Sequence, residues 1–203
     1  PEHSFDLLSD RKQYLHLKLA KDTIESICGP ISSFRAPALR IGSSTPTILK
    51  KLGFKTDSSV APQRFDGPLT FGSMKKLNWL LANRNPFFYR SRIEPEVNEK
   101  SVLEIPVSAA LLAYQGTTMR ISPKINALLG DFLHKESTNK KKPIVFLFHP
   151  NELVKEDTSA PYVSRSKSII SSFFADKLRR KLKLKNLGRP SIKLLQKVID
   201  KSK

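Results

Sequence analysis

After Ser9-Asp10, the apolar positions Tyr14, Leu17, Ile24 and Ile27 recur near helical spacing until Gly29-Pro30 interrupts them. The pattern predicts a helix over 10–28 with Ser9 as its N-cap. Ile31-Ser-Ser-Phe34 then reads as a short strand closed by the polar loop Arg35-Ala-Pro37. Thr45-Pro46 opens a second helix that carries Ile48, Leu49 and Leu52 on one face, with Gly53 in the stop position. Phe54-Lys-Thr56 predicts a second strand ending at Asp57.

Between 60 and 101 the pattern weakens: prolines at 62, 68, 86 and 95 and glycines at 67 and 72 break it around a short helix near 73–82. This stretch is expected to be a loop-rich insertion. Val102-Leu-Glu-Ile105 ahead of Pro106 predicts a strand, Pro123 to about His134 a helix, and Ile144–Phe148, introduced by Pro143, a strongly apolar strand. Two further helices are expected over 162–184 and 190–201, separated at Asn186-Leu-Gly188. Alternating helices and strands with short connections imply an α/β domain of parallel strands covered by helices. Sites in such folds lie at the carboxyl ends of strands, which is where Arg35, Asp57 and His149 fall.

Composition sets bounds on this reading. The chain has 203 residues and is 39% hydrophobic, enough for one domain with a sizeable core. Cys28 stands alone, so an internal disulfide and a cysteine-based zinc site are both excluded. No run of 18 apolar residues occurs, and Pro1-Glu-His-Ser lacks the profile of a signal peptide and an initiator Met. A helical pattern runs up to Lys201-Ser-Lys203, so the expectation is an internal piece of a longer protein, and no compartment is assigned. Net charge is +18, from 36 Lys and Arg against 18 Asp and Glu, which favours association with anionic polymers or surfaces. The basic runs Lys177–Lys185 and Asn139-Lys-Lys-Lys-Pro143 read as a solvated helix face and a basic turn. They lack the interleaved aromatics of single-strand binders and any groove-reading motif.

Histidines, an arginine and an aspartate carry candidate chemistry. His149, just past an apolar strand and before Pro150, can give or take a proton near neutral pH; the alternative is a histidine capping a strand end. Arg35 can hold a carboxylate through two hydrogen bonds, or form a surface ion pair. His3 can ligate zinc or another divalent metal but needs partners. His16 and His134 lie within predicted helices, and Asp66 in a proline-rich loop. A Gly-rich phosphate loop, a Gly-x-Ser-x-Gly elbow, an HExxH pair and an EF-hand loop are all missing, which argues against nucleotide and serine-hydrolase chemistry.

Taken together, Phe34-Arg-Ala-Pro-Ala-Leu-Arg-Ile41, Leu52-Gly-Phe-Lys-Thr-Asp-Ser-Ser-Val60, Leu103-Glu-Ile-Pro-Val-Ser108 and Phe148-His-Pro-Asn-Glu-Leu153 resemble the polysaccharide deacetylase family. This is the NodB-homology group, carbohydrate esterase family 4, in its branch with Arg-Ala-Pro and His-Pro-x-Glu motifs. The resemblance implies a distorted, here incomplete (β/α) barrel and metal-assisted hydrolysis of an N-acetyl group on an amino sugar. It places the Arg-x-Pro motif on Arg35 and Pro37, with Arg35 orienting the catalytic aspartate. The late histidine motif falls on Leu147 and His149, making His149 the general acid for the departing amine. Asp57 is placed near the motif that tunes this histidine.

The resemblance further implies a divalent metal, zinc first, with cobalt or another ion as alternatives. His3 fits as the second histidine of His-[Ser/Thr]-x-x-His; taken as the first, it would need a partner at position 7, which is Leu7. The paired-aspartate motif that supplies the base and a metal ligand is not in the chain, nor is the last strand, so a domain truncated at both ends is expected. In the complete protein, the aspartate and metal are expected to activate the attacking water. Expected partners are N-acetylated polysaccharides or glycoconjugates. Two other classes remain: a noncatalytic carbohydrate-binding relative and a basic nucleic-acid-binding module.

Overall fold

The computed structural model describes residues 5–63, 81–89, 101–155, 181–182 and 184–202. Most of the helix expected near 73–82 and most of that expected over 162–184 lie outside these residues; of the first, residues 81 and 82 are described and form a turn. The chain divides into two compact units, 1–62 with 82–107 and 63–81 with 108–203.

In the first unit, helix α1 (Asp10–Cys28) begins and ends as the sequence predicts, with Ser9 extended ahead of it and Gly29 at φ 78 behind it. Its buried face differs from the expected one. Leu17 and Gln13 are buried, whereas Ile24 and Ile27 are exposed. The reason is the length of its partner: α2 (Thr45–Lys51) has seven residues and reaches only about 10 Å along its neighbour. The polar Gln13 is tolerated because both ends of its amide are satisfied: Nε2 donates to the Leu8 carbonyl at 2.9 Å, and Oε1 accepts from the Thr45 hydroxyl at 2.8 Å. Leu17, Ile48, Leu49, Phe54 and Val102 form the core, with Tyr14, Phe34 and Tyr89 packed against it.

Gly53, just past α2, sits at φ 79, and a Cβ there would meet nothing within 4 Å. Gly53→Ala should therefore cost only backbone strain, about 1 kcal/mol, read as a shift in denaturation midpoint. A cost well above this would show an unseen packing role.

Beyond these helices lies a four-stranded sheet in the order β1 (Ser33–Phe34), β2 (Thr56–Asp57), β4 (Leu103–Glu104), β3 (Phe87–Phe88). The first three are parallel, with Ser33 opposite Thr56 and Thr56 opposite Leu103; β3 joins antiparallel at the edge. The α/β class and the parallel strands agree with the sequence. The described residues form this small mixed sheet rather than a closed barrel.

The second unit is built around Tyr114, Leu129 and Leu133, with Ile144, Phe146 and Val198 against them. Its elements are the hairpin β5 (Ala109–Ala110) and β6 (Leu112–Ala113), α3 (Gly116–Ile121), α4 (Pro123–Lys140) and α5 (Arg189–Lys201). Gly130 lets the Tyr114 hydroxyl approach α4, since a Cβ there would sit 2.8 Å from it.

Two expectations need correcting in this unit. Helix α4 runs six residues past His134, and its C-terminal end is held by Lys142, which is buried and paired with Glu136 at 2.7 Å. One member of the supposed basic turn is thus internal. The strand expected at Ile144–Phe148 is reduced to a single parallel bridge between Leu147 and Gln115. The chain it runs beside is folded into the β5–β6 hairpin there, which interrupts the ladder. Val145 bonds Ser108 through that residue's side chain and N–H, and Leu147 bonds Tyr114 and Gly116 beyond the gap.

Candidate functional site

At the carboxyl ends of β1, β2 and β4, side chains of the first unit form one hydrogen-bonded network. Arg35 is exposed but fixed: its Nε donates to the Ser58 carbonyl at 2.9 Å and Nη2 to the Ser58 hydroxyl at 2.7 Å. That hydroxyl donates in turn to the Ile105 carbonyl at 2.7 Å. Next along the chain, the Ala36 N–H donates to the Ser59 hydroxyl at 2.8 Å, which donates to Asp57 Oδ1. Pro37 is exposed and starts a short 3-10 turn in which Ala38 and Leu39 adopt φ 55 and 57. Two successive non-glycine residues in the left-handed region store strain of a kind that gathers at functional sites.

Behind this rim, Asp57 and Glu104 are fully buried and share the Tyr89 hydroxyl as a neighbour. The Tyr89 hydroxyl lies 2.7 Å from Glu104 Oε2 and 3.1 Å from Asp57 Oδ2, and its single proton serves one of them at a time. Glu104 Oε1 accepts the Val60 N–H at 2.9 Å. Burial pushes Glu104 up to about 7, with the Asp57 charge adding to the shift. Burial also raises Asp57, against the hydrogen bonds from Ser59 and Tyr89, and raises the Tyr89 phenol. Two carboxyls gathered round one hydroxyl in so dry a place favour a proton on Glu104 below about 7.

In the second unit, Leu147 is buried and His149 is exposed, at the N-cap of the 3-10 turn Pro150–Leu153. Glu152 of that turn is buried and accepts the His149 N–H at 3.1 Å.

Of the residues singled out from sequence, the structure joins Arg35, Pro37 and Asp57 within the first unit and Leu147 and His149 within the second. His3 lies outside the described residues. Among those residues no three His, Cys, Asp and Glu side chains come together as metal ligands. Sequence reasoning missed Glu104 and Tyr89. An ionisable residue inside the apolar Val102–Ile105 was a signal for the first; Tyr89 offered none.

No protein-family model matches the chain, and no curated protein does. Among solved structures, one match is a Mycobacterium smegmatis protein described as a "putative polysaccharide deacetylase", at 18% identity and a TM-score of 0.48. The alignment covers 73% of this chain and 46% of the other, so the chain spans less than half of that protein's length. No described helix is long and apolar enough to cross a membrane.

Proposed function

We propose that the chain forms most of one domain that removes N-acetyl groups from amino sugars of a polysaccharide or glycoconjugate, acting with a divalent metal, zinc first. The supporting observation is the meeting of three of the four family-like segments. Arg35-Ala-Pro37, Asp57-Ser-Ser59 and Glu104-Ile-Pro106 are tied together by hydrogen bonds at the carboxyl ends of parallel strands.

In this reading Arg35, braced by Ser58, orients a carboxylate with the exposed Pro37 beside it in the first unit, while Leu147, buried in the second unit, supports the segment that carries His149. Asp57 is too buried to touch substrate and acts through its charge. The exposed His149 imidazole gives its proton to the nitrogen as the carbon–nitrogen bond breaks. His3 is the proposed metal ligand.

The test is acetate release from N-acetylglucosamine oligomers by the whole protein carrying this chain, with chelator and with zinc restored. His149→Ala should lower the rate about a hundredfold. Equal rates in the variant would remove His149 from the chemistry. Sugar binding with no acetate release under any metal would replace the enzyme with a noncatalytic carbohydrate binder.

A further inference from the structure

The turn that carries His149 is held by an interaction its exposed position does not suggest. Glu152, three residues on, turns its carboxylate inward. One oxygen, Oε1, accepts Arg120 Nε at 3.0 Å and lies 3.0 Å from Nη2. The other, Oε2, accepts the His149 backbone N–H at 3.1 Å. Both side chains are about 95% buried, at 5% and 7% residual exposure. The remaining Arg120 nitrogen, Nη1, donates to the Lys185 carbonyl at 3.0 Å, and the Arg120 carbonyl accepts from Asn186 Nδ2 at 2.7 Å.

The carboxylate also needs an absent side chain. At Gly116, the first residue of α3, a Cβ would sit 1.9 Å from Glu152 Oε2 and 2.9 Å from its carboxyl carbon. No residue other than glycine leaves the carboxylate where it is. Three separate features therefore converge on one placement: a buried guanidinium, a missing Cβ and a main-chain donor.

We infer that Glu152, clamped by Arg120 and seated on Gly116, is the positioning residue that sets where His149 presents its imidazole. Its two oxygens divide the task. One is anchored to the unit's interior through Arg120, and the other fixes the backbone from which His149 projects. A carboxylate is required because both oxygens accept. Glutamine has one acceptor and one donor, so it faces either Arg120 or the His149 N–H with a mismatched group. The inference rests on the proton-donor role proposed for His149.

Backbone amide exchange of the whole protein, residue by residue, tests it without substrate. Glu152→Gln and Gly116→Ala should each accelerate exchange at His149 about tenfold relative to the Leu147 and Met119 amides, which bond to backbone carbonyls of Tyr114 and Gln115. The Ala variant changes no charge, so agreement between the two separates displacement of the carboxylate from loss of its charge. In acetate release, both variants should lose ten- to a hundredfold in kcat with KM nearly unchanged, the mark of a misplaced catalytic group. His149 exchange that rises only in step with Leu147 and Met119 would overturn the inference, as would unchanged kcat. An inactive wild-type protein would overturn the deacetylase reading instead, and exchange alone would then decide the clamp.

Discussion

Truncating Arg120 to alanine is expected to destabilise the second unit by about 3–5 kcal/mol, because it strands the Glu152 carboxylate in a dry site. The pair is buried on both sides, so neither screening nor side-chain entropy weakens it as they weaken exposed pairs, which contribute about 0–1 kcal/mol. Losing Arg120 also leaves the Lys185 carbonyl without its donor. Replacing both charged partners with methionine should recover much of the loss, since the double variant leaves no uncompensated charge. Chemical denaturation of the wild type, Arg120→Ala and the double variant measures both effects. A single-variant cost below about 1 kcal/mol would mean that water reaches the site.

Raising the pH should weaken the first unit through Glu104. Its folded-state value of about 7 lies above the 4.5 of the free group, so between these values the folded protein holds more proton than the unfolded chain. The stabilising share is fully present below about 4.5 and lost as pH rises through about 7. A shift of this size corresponds to roughly 3 kcal/mol. Glu104→Gln should flatten the dependence: its amide oxygen can accept the Val60 N–H and its nitrogen can face Tyr89 and Asp57, as the protonated acid does. Unfolding free energies from pH 4.5 to 8, followed by exchange at Val60 and Ile105, give the comparison. Equal slopes in the two proteins would show that the pair holds no extra proton.

What could be read from sequence was local. Ser9-Asp10, Thr45-Pro46 and Pro123 mark helix starts through the chemistry of a few neighbouring residues, and the helices begin there. The ends of β1 and β2 were legible for the same reason, which placed Arg35 and Asp57 at the sheet's carboxyl edge. Ile144–Phe148 misled because an apolar run states only that a segment wants burial. Whether it enters a ladder depended on the hairpin at 109–113. Gln13 broke the apolar pattern of α1 while occupying its buried face, since its partner Thr45 lies 32 residues away. Tyr89 meets Asp57 and Glu104 only through the sheet. The clamp on His149 was hidden likewise: Glu152 was read as part of a motif, but Arg120 and Gly116 carry no local mark of their role.

Strands of two residues have a kinetic consequence. Their side-chain bonds join positions 23 and 47 apart in the chain, and so few ladder bonds cannot offset closure over such distances unaided. The packing of α1 on α2 closes a comparable distance, with Gln13 and Thr45 32 residues apart, so helix packing and strand closure must support each other. Asp57, Tyr89 and Glu104 meet only after three strands have closed, so the proton on Glu104 is taken up late. Its presence or loss then bears on how fast the unit opens rather than on how fast it forms.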